Sequence, residues 1–258
     1  MQASITLAPD ATQQYLLRIA DTCLILAQRT SEWCGHGPVL EEDIALANMA
    51  LDLLGQSRAL LAHAGTLGAT RYDEDQLAFL RDERDYRNVT LVELPRGDFA
   101  VTVLRNLFVA GFLKALWARL AEQSKDAELA AIAAKALKEA RYHQQHAADW
   151  LLRLADGTAE SRRRVESALA LLWPYTAELF EDDAIDAAAD GARLGPRWSA
   201  LHEPWLAELV PLFDAANLAL PSTGAFRSTG KQGRHSEHMG FLLAEMQHLQ
   251  RAYPGGAW

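Results

Sequence analysis

Apolar residues recur in steps of three and four along almost the whole chain, which predicts helix nearly everywhere. The longest such pattern covers 126–155. It opens at Asp126, passes through Ala-rich turns and Lys138-Glu139-Ala140-Arg141-Tyr142-His143-Gln144-Gln145-His146, and ends near Trp150 and Leu154. These are strong helix formers, and Gly157 is a suitable stop. One stripe, Leu129, Ile132, Ala136, Glu139, His143, His146, Trp150 and Leu154, is expected on a single face. A carboxylate and imidazoles on an otherwise apolar seam are either metal ligands or a buried polar network.

The same periodicity predicts three more long helices. The first covers about 10–33, with Leu16, Ile19, Cys23, Leu26, Thr30 and Trp33 on one face. Gly35-His36-Gly37-Pro38 breaks it. The second covers about 40–64, opened by Glu41, Glu42 and Asp43, which suit the positive end of a helix dipole. The third starts at the cap Asp98 and runs to about Glu122. Short connections make the first pair antiparallel, and the second pair likewise. Between the pairs lies a crossover of about 65–97, with a short helix near 73–86 and one strand-like run, Asn88 to Leu94. Two hairpins joined by a long crossover is the topology of a ferritin-like four-helix bundle. Additional C-terminal helices are expected near 158–180, 183–190, 197–217 and 235–253, with 221–234 a polar surface loop. No domain boundary is visible, so residues 1–258 are expected to form a single ferritin-like, all-α domain.

Composition sets limits on partners. The chain has 258 residues, half of them hydrophobic, and a net charge of −9 that argues against nucleic acid. Met1 to Asp10 has neither a basic n-region nor an apolar h-region, so no signal peptide is expected. Arg105, Asn106 and Lys114 interrupt the best candidate for a membrane span. Cys23 and Cys34, on one expected helix, would lie roughly 16 Å apart at about 1.5 Å per residue, too far for a disulfide. Both are expected to be buried thiols in a reducing cytoplasm.

A di-iron site in such a bundle needs a carboxylate from each of two helices and a Glu-x-x-His pair from each of the other two. The spacing matters because i and i+3 share a face. Those ligands hold two hard cations about 3.5–4 Å apart. This chain does not supply them. The second helix offers Asn48, Asp52 and Gln56, and Asp52 is followed at i+3 by Gly55. The third has no Asp or Glu between Asp98 and Glu122. In the fourth, the residue three before His143 is Ala140, and Glu139 is four away. Glu139 and His143 are therefore expected to be a buried hydrogen-bonded pair, helped by Arg141 or by a facing Asp21, Asn48, Asp52 or Gln56. A mononuclear site of His143, Glu139 and Asp52 is the sharper alternative.

The ordered set Arg29-Thr30-Ser31-Glu32-Trp33-Cys34-Gly35-His36-Gly37-Pro38, Leu46-Ala47-Asn48, Leu51-Asp52-Leu53-Leu54-Gly55-Gln56, Lys138-Glu139-Ala140-Arg141-Tyr142-His143, Thr176-Ala177-Glu178-Leu179-Phe180 and Leu243-Ala244-Glu245-Met246-Gln247 resembles the C subunits of bacterial phenylacetyl-CoA epoxidases, multicomponent ring-oxygenating monooxygenases of phenylacetate catabolism. The resemblance extends over nearly the whole chain. It implies a ferritin-like partner of a related A subunit, which carries the di-iron centre and binds the CoA thioester. The A-type pattern Asp-Glu-x-Gly-His would fall on Asp52 to Gln56, with Leu53 and Gln56 in place of the ligands. The A-type Lys-Glu-Glu-x-x-His would fall on Lys138 to His143, with Ala140 for the ligand Glu and only His143 kept, and the third-helix acid on Ala110. The resemblance thus implies a non-catalytic structural component with no metal, cofactor or catalytic residue of its own. It also implies a heterodimer with the A subunit that assembles into a heterotetramer.

Other features are less specific. Trp117, Trp150 and Trp173 have core spacing, and Trp198 and Trp205 fit either core or interface. Ser228 to His235 is a basic, Gly-bearing loop without P-loop spacing. It is expected to be solvated, with a contact to CoA phosphates or to a partner as the alternative. The competing functional readings are an active ferritin-like iron oxidase and a stand-alone helical interaction protein.

Overall fold

The computed structural model describes residues 3–7, 10–68, 70–222 and 224–256. Met1, Gln2, Ala8 and Pro9 of the leading segment, Ala69 of the crossover and Thr223 of the 221–234 loop lie outside the described residues. The described residues are all-α, with helices α1 (Ala11–Ser31), α2 (Leu40–Leu67), α3 (Glu74–Phe79), α4 (Phe99–Gln123), α5 (Ala127–Gly157), α6 (Ala159–Leu172), α7 (Ala184–Gly191), α8 (His202–Ala215) and α9 (Glu237–Ala252). This is a ferritin-like order, two long helical pairs separated by a crossover. The chain divides into two compact units, Met1–Pro95 with Thr229–Trp258, and Arg96–Ser228.

Helix starts follow local capping. Asp10, Asp98 and Asp126 each accept a hydrogen bond from the backbone N–H three residues on. Asp73, Thr158 and Asp183 form capping boxes. In the first unit α1 and α2 pair along their length. Between them the N–H groups of His36 and Gly37 both donate to Asp43 Oδ1, at 3.1 and 3.0 Å. A Cβ on Gly37 would lie 2.7 Å from the Asp43 backbone, so only glycine fits this turn. All six residues of the expected α1 face are buried. The helix is in fact buried nearly all round from Gln13 to Ala27, Arg18 and Asp21 included.

Two local expectations need correction. Asn88 to Leu94 is not a strand: Thr90–Val92 is a 3-10 turn, and the Val89 N–H donates to the Thr22 hydroxyl at 3.4 Å rather than to a neighbouring strand. α1 stops at Ser31, so Trp33 turns inward at 7% exposure while Cys34 is exposed. The buried thiol is Cys23 alone.

In the second unit α4 and α5 form the long pair, with α6 and α8 packed against them. α4 is long and apolar enough by composition to cross a membrane, but 83% of its most apolar window is buried inside the protein. Rings from four segments build the core here. Phe108 lies between Trp173 and Trp205, with centroids 5.8 and 5.9 Å away, and Phe112 meets Trp198 at 4.8 Å. Trp117, Trp173, Trp198 and Trp205 are all buried, which settles the last two as core. Trp150 is half-buried, its ring edge-on to Phe99 at 4.9 Å.

Candidate functional site

The inward face of α5 decides what chemistry this chain can carry. Its buried residues are Leu129, Ala133, Ala136, Ala140, His143, Ala147, Leu151 and Ala155. The expected stripe shares only Leu129, Ala136 and His143 with that set. Ile132, Glu139, His146, Trp150 and Leu154 sit half-buried at its flank. The physical reason is size. α4 and α5 approach along the ridge of alanines, which allows close helix contact, and the bulkier residues splay to the side. Glu139 is accordingly not on the seam: its side chain is 20% exposed and its carboxylate lies 3.9 Å from Lys135 Nζ.

That rotation places Ala140, not Glu139, one turn before the buried His143. Facing α5 in the same unit, Ala110 of α4 is buried at 3% exposure. In the first unit, Leu53 and Gln56 of α2 are buried, at 3% and 4% exposure. The Cys23 thiol meets Gln56 Oε1 at 3.6 Å. Asp52 is half-buried and Asn48 exposed. Asp21 is fully buried but engaged by Arg81. A di-iron centre needs oxygen and nitrogen donors. Methyl, isobutyl and amide groups do not fit it. Among the described residues no group of three or more His, Cys, Asp or Glu is placed to hold a metal ion.

Where the chain does bury charge, it does so structurally. Asp21 and Arg81, both fully buried, form a two-pronged ion pair. Burial opposes the charge on Arg81, but Asp21 outweighs it and raises the pKa above its ordinary value. Arg81 also donates to the Leu77 carbonyl at 2.5 Å, and its guanidinium lies over the Tyr86 ring. The Tyr86 hydroxyl donates to the Ala78 carbonyl and accepts from Gln247 Nε2 at 2.9 Å. Burial pushes the Tyr86 phenol well above its usual range. α9 is thereby tied to the crossover through Gln247 and through Arg251, which donates to the carbonyls of Phe79 and Arg81 at 3.0 and 2.9 Å.

A second cluster fastens the segment before α9. Glu93 accepts from His235 Nδ1 at 3.1 Å, and its other oxygen accepts from the Ser236 backbone N–H at 3.0 Å and hydroxyl at 3.1 Å. His235 Nε2 faces the Tyr86 carbonyl at 3.2 Å. A carbonyl only accepts, so Nε2 carries a proton. Burial opposes a charged His235, but its hydrogen bond to Glu93 and that group's charge outweigh it and raise the imidazole pKa. Burial likewise lifts the Glu93 carboxyl above its ordinary value, against the opposing effect of His235. No sequence spacing announces either cluster.

The basic loop is also not solvated as expected. Ser228, Gly230 and Lys231 are buried, while Gln232 and Arg234 are exposed. The Gly230 N–H donates to the Thr90 hydroxyl at 3.1 Å, and Thr229 and Arg234 form an isolated antiparallel bridge. Ser228 donates to buried Glu178 at 2.7 Å in the second unit. Glycines at 230 and 233 let the backbone press onto the crossover, so polar residues go inside.

The fold defines a class: an all-α chain of ferritin-like build, with no cluster of metal-ligating side chains among the described residues. The chain belongs to the phenylacetic acid catabolic protein family, whose model matches residues 2–258. It is 50% identical over 246 residues to the C subunit of the 1,2-phenylacetyl-CoA epoxidase of Escherichia coli (strain K12), a match covering 95% of this chain and 98% of that relative.

Proposed function

We propose that this chain is the non-catalytic C-type component of a multicomponent phenylacetyl-CoA epoxidase, holding a di-iron A-type subunit in its working geometry. One observation carries the reading: Leu53 and Gln56 in the first unit and Ala110 and Ala140 in the second are buried, and these are the residues on which the resemblance makes A-type metal ligands fall. The likeness to an epoxidase component over 95% of the chain supports the rest.

In this reading the iron and the thioester chemistry belong to the partner, and the two chains form a heterodimer that pairs into a heterotetramer in the cytoplasm. The outer face of α2 supports a partnered state. Leu40, Ile44 and Leu51, in steps of four and seven, are 70%, 52% and 64% exposed. Apolar side chains aligned on one helix face are characteristic of surfaces that a partner chain covers.

The test is elemental analysis and activity with and without the A-type partner. Iron is expected at about two ions per heterodimer, with background levels in this chain alone. Epoxidation is expected to require both chains. A coupled ferric pair in this polypeptide by itself, or full activity of the partner by itself, overturns the reading.

A further inference from the structure

Within the second unit, α4, α5 and α8 enclose an open groove of about 750 Å³. Its accessible floor is apolar, with Ala115 and Ala118 on α4, Ala148 and Leu152 on α5, and Leu212 on α8, while Gly111 and Trp205 lie buried beneath it. The lining on α5 runs from Leu137 to Leu152, a length of roughly 22 Å at about 1.5 Å per residue.

The rim carries Lys114, Arg119 and Arg141 against Asp149 and Glu208, an excess of one positive charge. Its two carboxylates already have donors within the groove. Glu208 accepts from Lys114 at 2.5 Å and from Gln144 at 2.7 Å, and Asp149 accepts from Gln145 at 2.8 Å. The guanidinium groups of Arg119 and Arg141 line the same groove, are exposed, and are in no ion pair or hydrogen bond among the described residues. Arg119 also lines an adjoining cavity of about 400 Å³ with Arg193 and Arg197. The acid there, Asp190, is paired with Arg197 at 3.2 Å. In a chain of net charge −9, this surface is locally basic.

We infer that the groove receives an acidic amphipathic helix from another subunit of the complex, an inference that rests on the chain being part of such a complex. Small floor residues let a helix backbone come close. A four-turn helix matches the groove's length, its apolar side meeting Leu152, Leu212 and the alanines. Its carboxylates would meet Arg119 and Arg141, whose planar forks suit them. The opening along the groove disfavours a small ligand, because such sites enclose most of their ligand's surface.

The test compares the intact chain with the double variant Arg119→Glu/Arg141→Glu, using Arg71→Glu in the first unit as a charge control. Circular dichroism checks the fold of each, and association with the other epoxidase subunits is titrated from about 50 to about 300 mM salt. The double variant is expected to bind one of them about tenfold or more weakly at low salt and to lose most of the salt dependence, with the control unchanged. Equal binding by folded double variant and intact chain overturns the inference while leaving the proposed function standing. Failure of the intact chain to bind any of them removes both. Calorimetric binding of free coenzyme A to the isolated chain, abolished by the same two substitutions, would make the groove a small-anion site and overturn the helix.

Discussion

The indole Nε1 of Trp205 donates a hydrogen bond to the main-chain carbonyl oxygen of Phe108 at 2.9 Å. The carbonyl belongs to the middle of α4, and the indole reaches it because residue 111 has no side chain. A Cβ on Gly111 would lie 3.1 Å from Trp205 Cδ1. Gly111 thus accepts the roughly 1 kcal/mol that glycine costs within a helix so that α8 can dock a buried ring. Trp205→Ala is expected to destabilise the chain by about 3–5 kcal/mol, the range for emptying a buried aromatic site. Trp205→Phe, which keeps a ring but no donor, is expected to lose about 1–3 kcal/mol. Urea titration followed by circular dichroism measures both, and an alanine variant as stable as the parent would remove α8 from the core.

The two cysteines are expected to separate cleanly in a thiol assay. Cys34 is exposed beyond the end of α1, whereas Cys23 is fully buried against Gln56. A thiol reagent needs access and a thiolate, so it should label one equivalent in the native chain and two in denaturant. Mass spectrometry should place the native label on Cys34. Rapid native labelling of Cys23 would mean that the α1–α2 pair opens on the assay's timescale.

Much of this architecture is written locally. Asp10, Asp98 and Asp126 announce helix starts because an N-cap needs only its own next three residues. The two hairpins follow from the brevity of their connections. The face of α5 is harder to read, because hydrophobic periodicity weights large side chains and close helix packing is made by small ones. Ala133, Ala140 and Ala147 form the seam, and Ile132, Trp150 and Leu154 flank it. The polar clusters are illegible for a different reason. Asp21 and Arg81 are 60 residues apart in sequence, and Glu93 and His235 are 142 apart, so no motif spacing joins them. The missing Glu-x-x-His pairs are readable because that motif is itself a local pattern, and its absence is local too. Lys231 defies expectation because polar character in a loop ordinarily means solvent, whereas flanking glycines here press the backbone inward.

Those glycines are open to direct test. Gly233 has φ +77°, and a Cβ there would lie 2.4 Å from the Arg84 carbonyl oxygen. Both the left-handed backbone and the close approach oppose any side chain. Gly233→Ala is expected to cost about 1–3 kcal/mol in chemical denaturation. Hydrogen exchange should rise at the Gly230 amide, which donates to Thr90, before it rises in α4 and α5. A variant of unchanged stability would show that the loop is not fastened to the crossover.

The Glu93–His235 pair gives the chain a pH dependence of defined sign. Both groups hold protons more tightly folded than unfolded, since the Glu93 carboxyl is raised from 4.5 and the His235 imidazole from 6.5. The folded state therefore binds more protons, and the pair's contribution to stability falls as pH rises. The part due to His235 is fully present below pH 6.5 and is lost as pH climbs through the higher folded value. His235→Gln keeps a donor for Glu93 but cannot titrate. The stabilities of parent and variant are expected to differ most below pH 6.5 and to converge as pH climbs past the raised folded value, the gap closing by about 1.4 kcal/mol for each unit by which the folded imidazole is raised. Measuring both proteins on the same pH series cancels the titrating groups that His235 does not touch, and keeping the series above about pH 6 limits the part due to Glu93. A gap that stays constant across the series would mean that the imidazole binds its proton equally in the folded and unfolded states, so that Glu93 does not raise it.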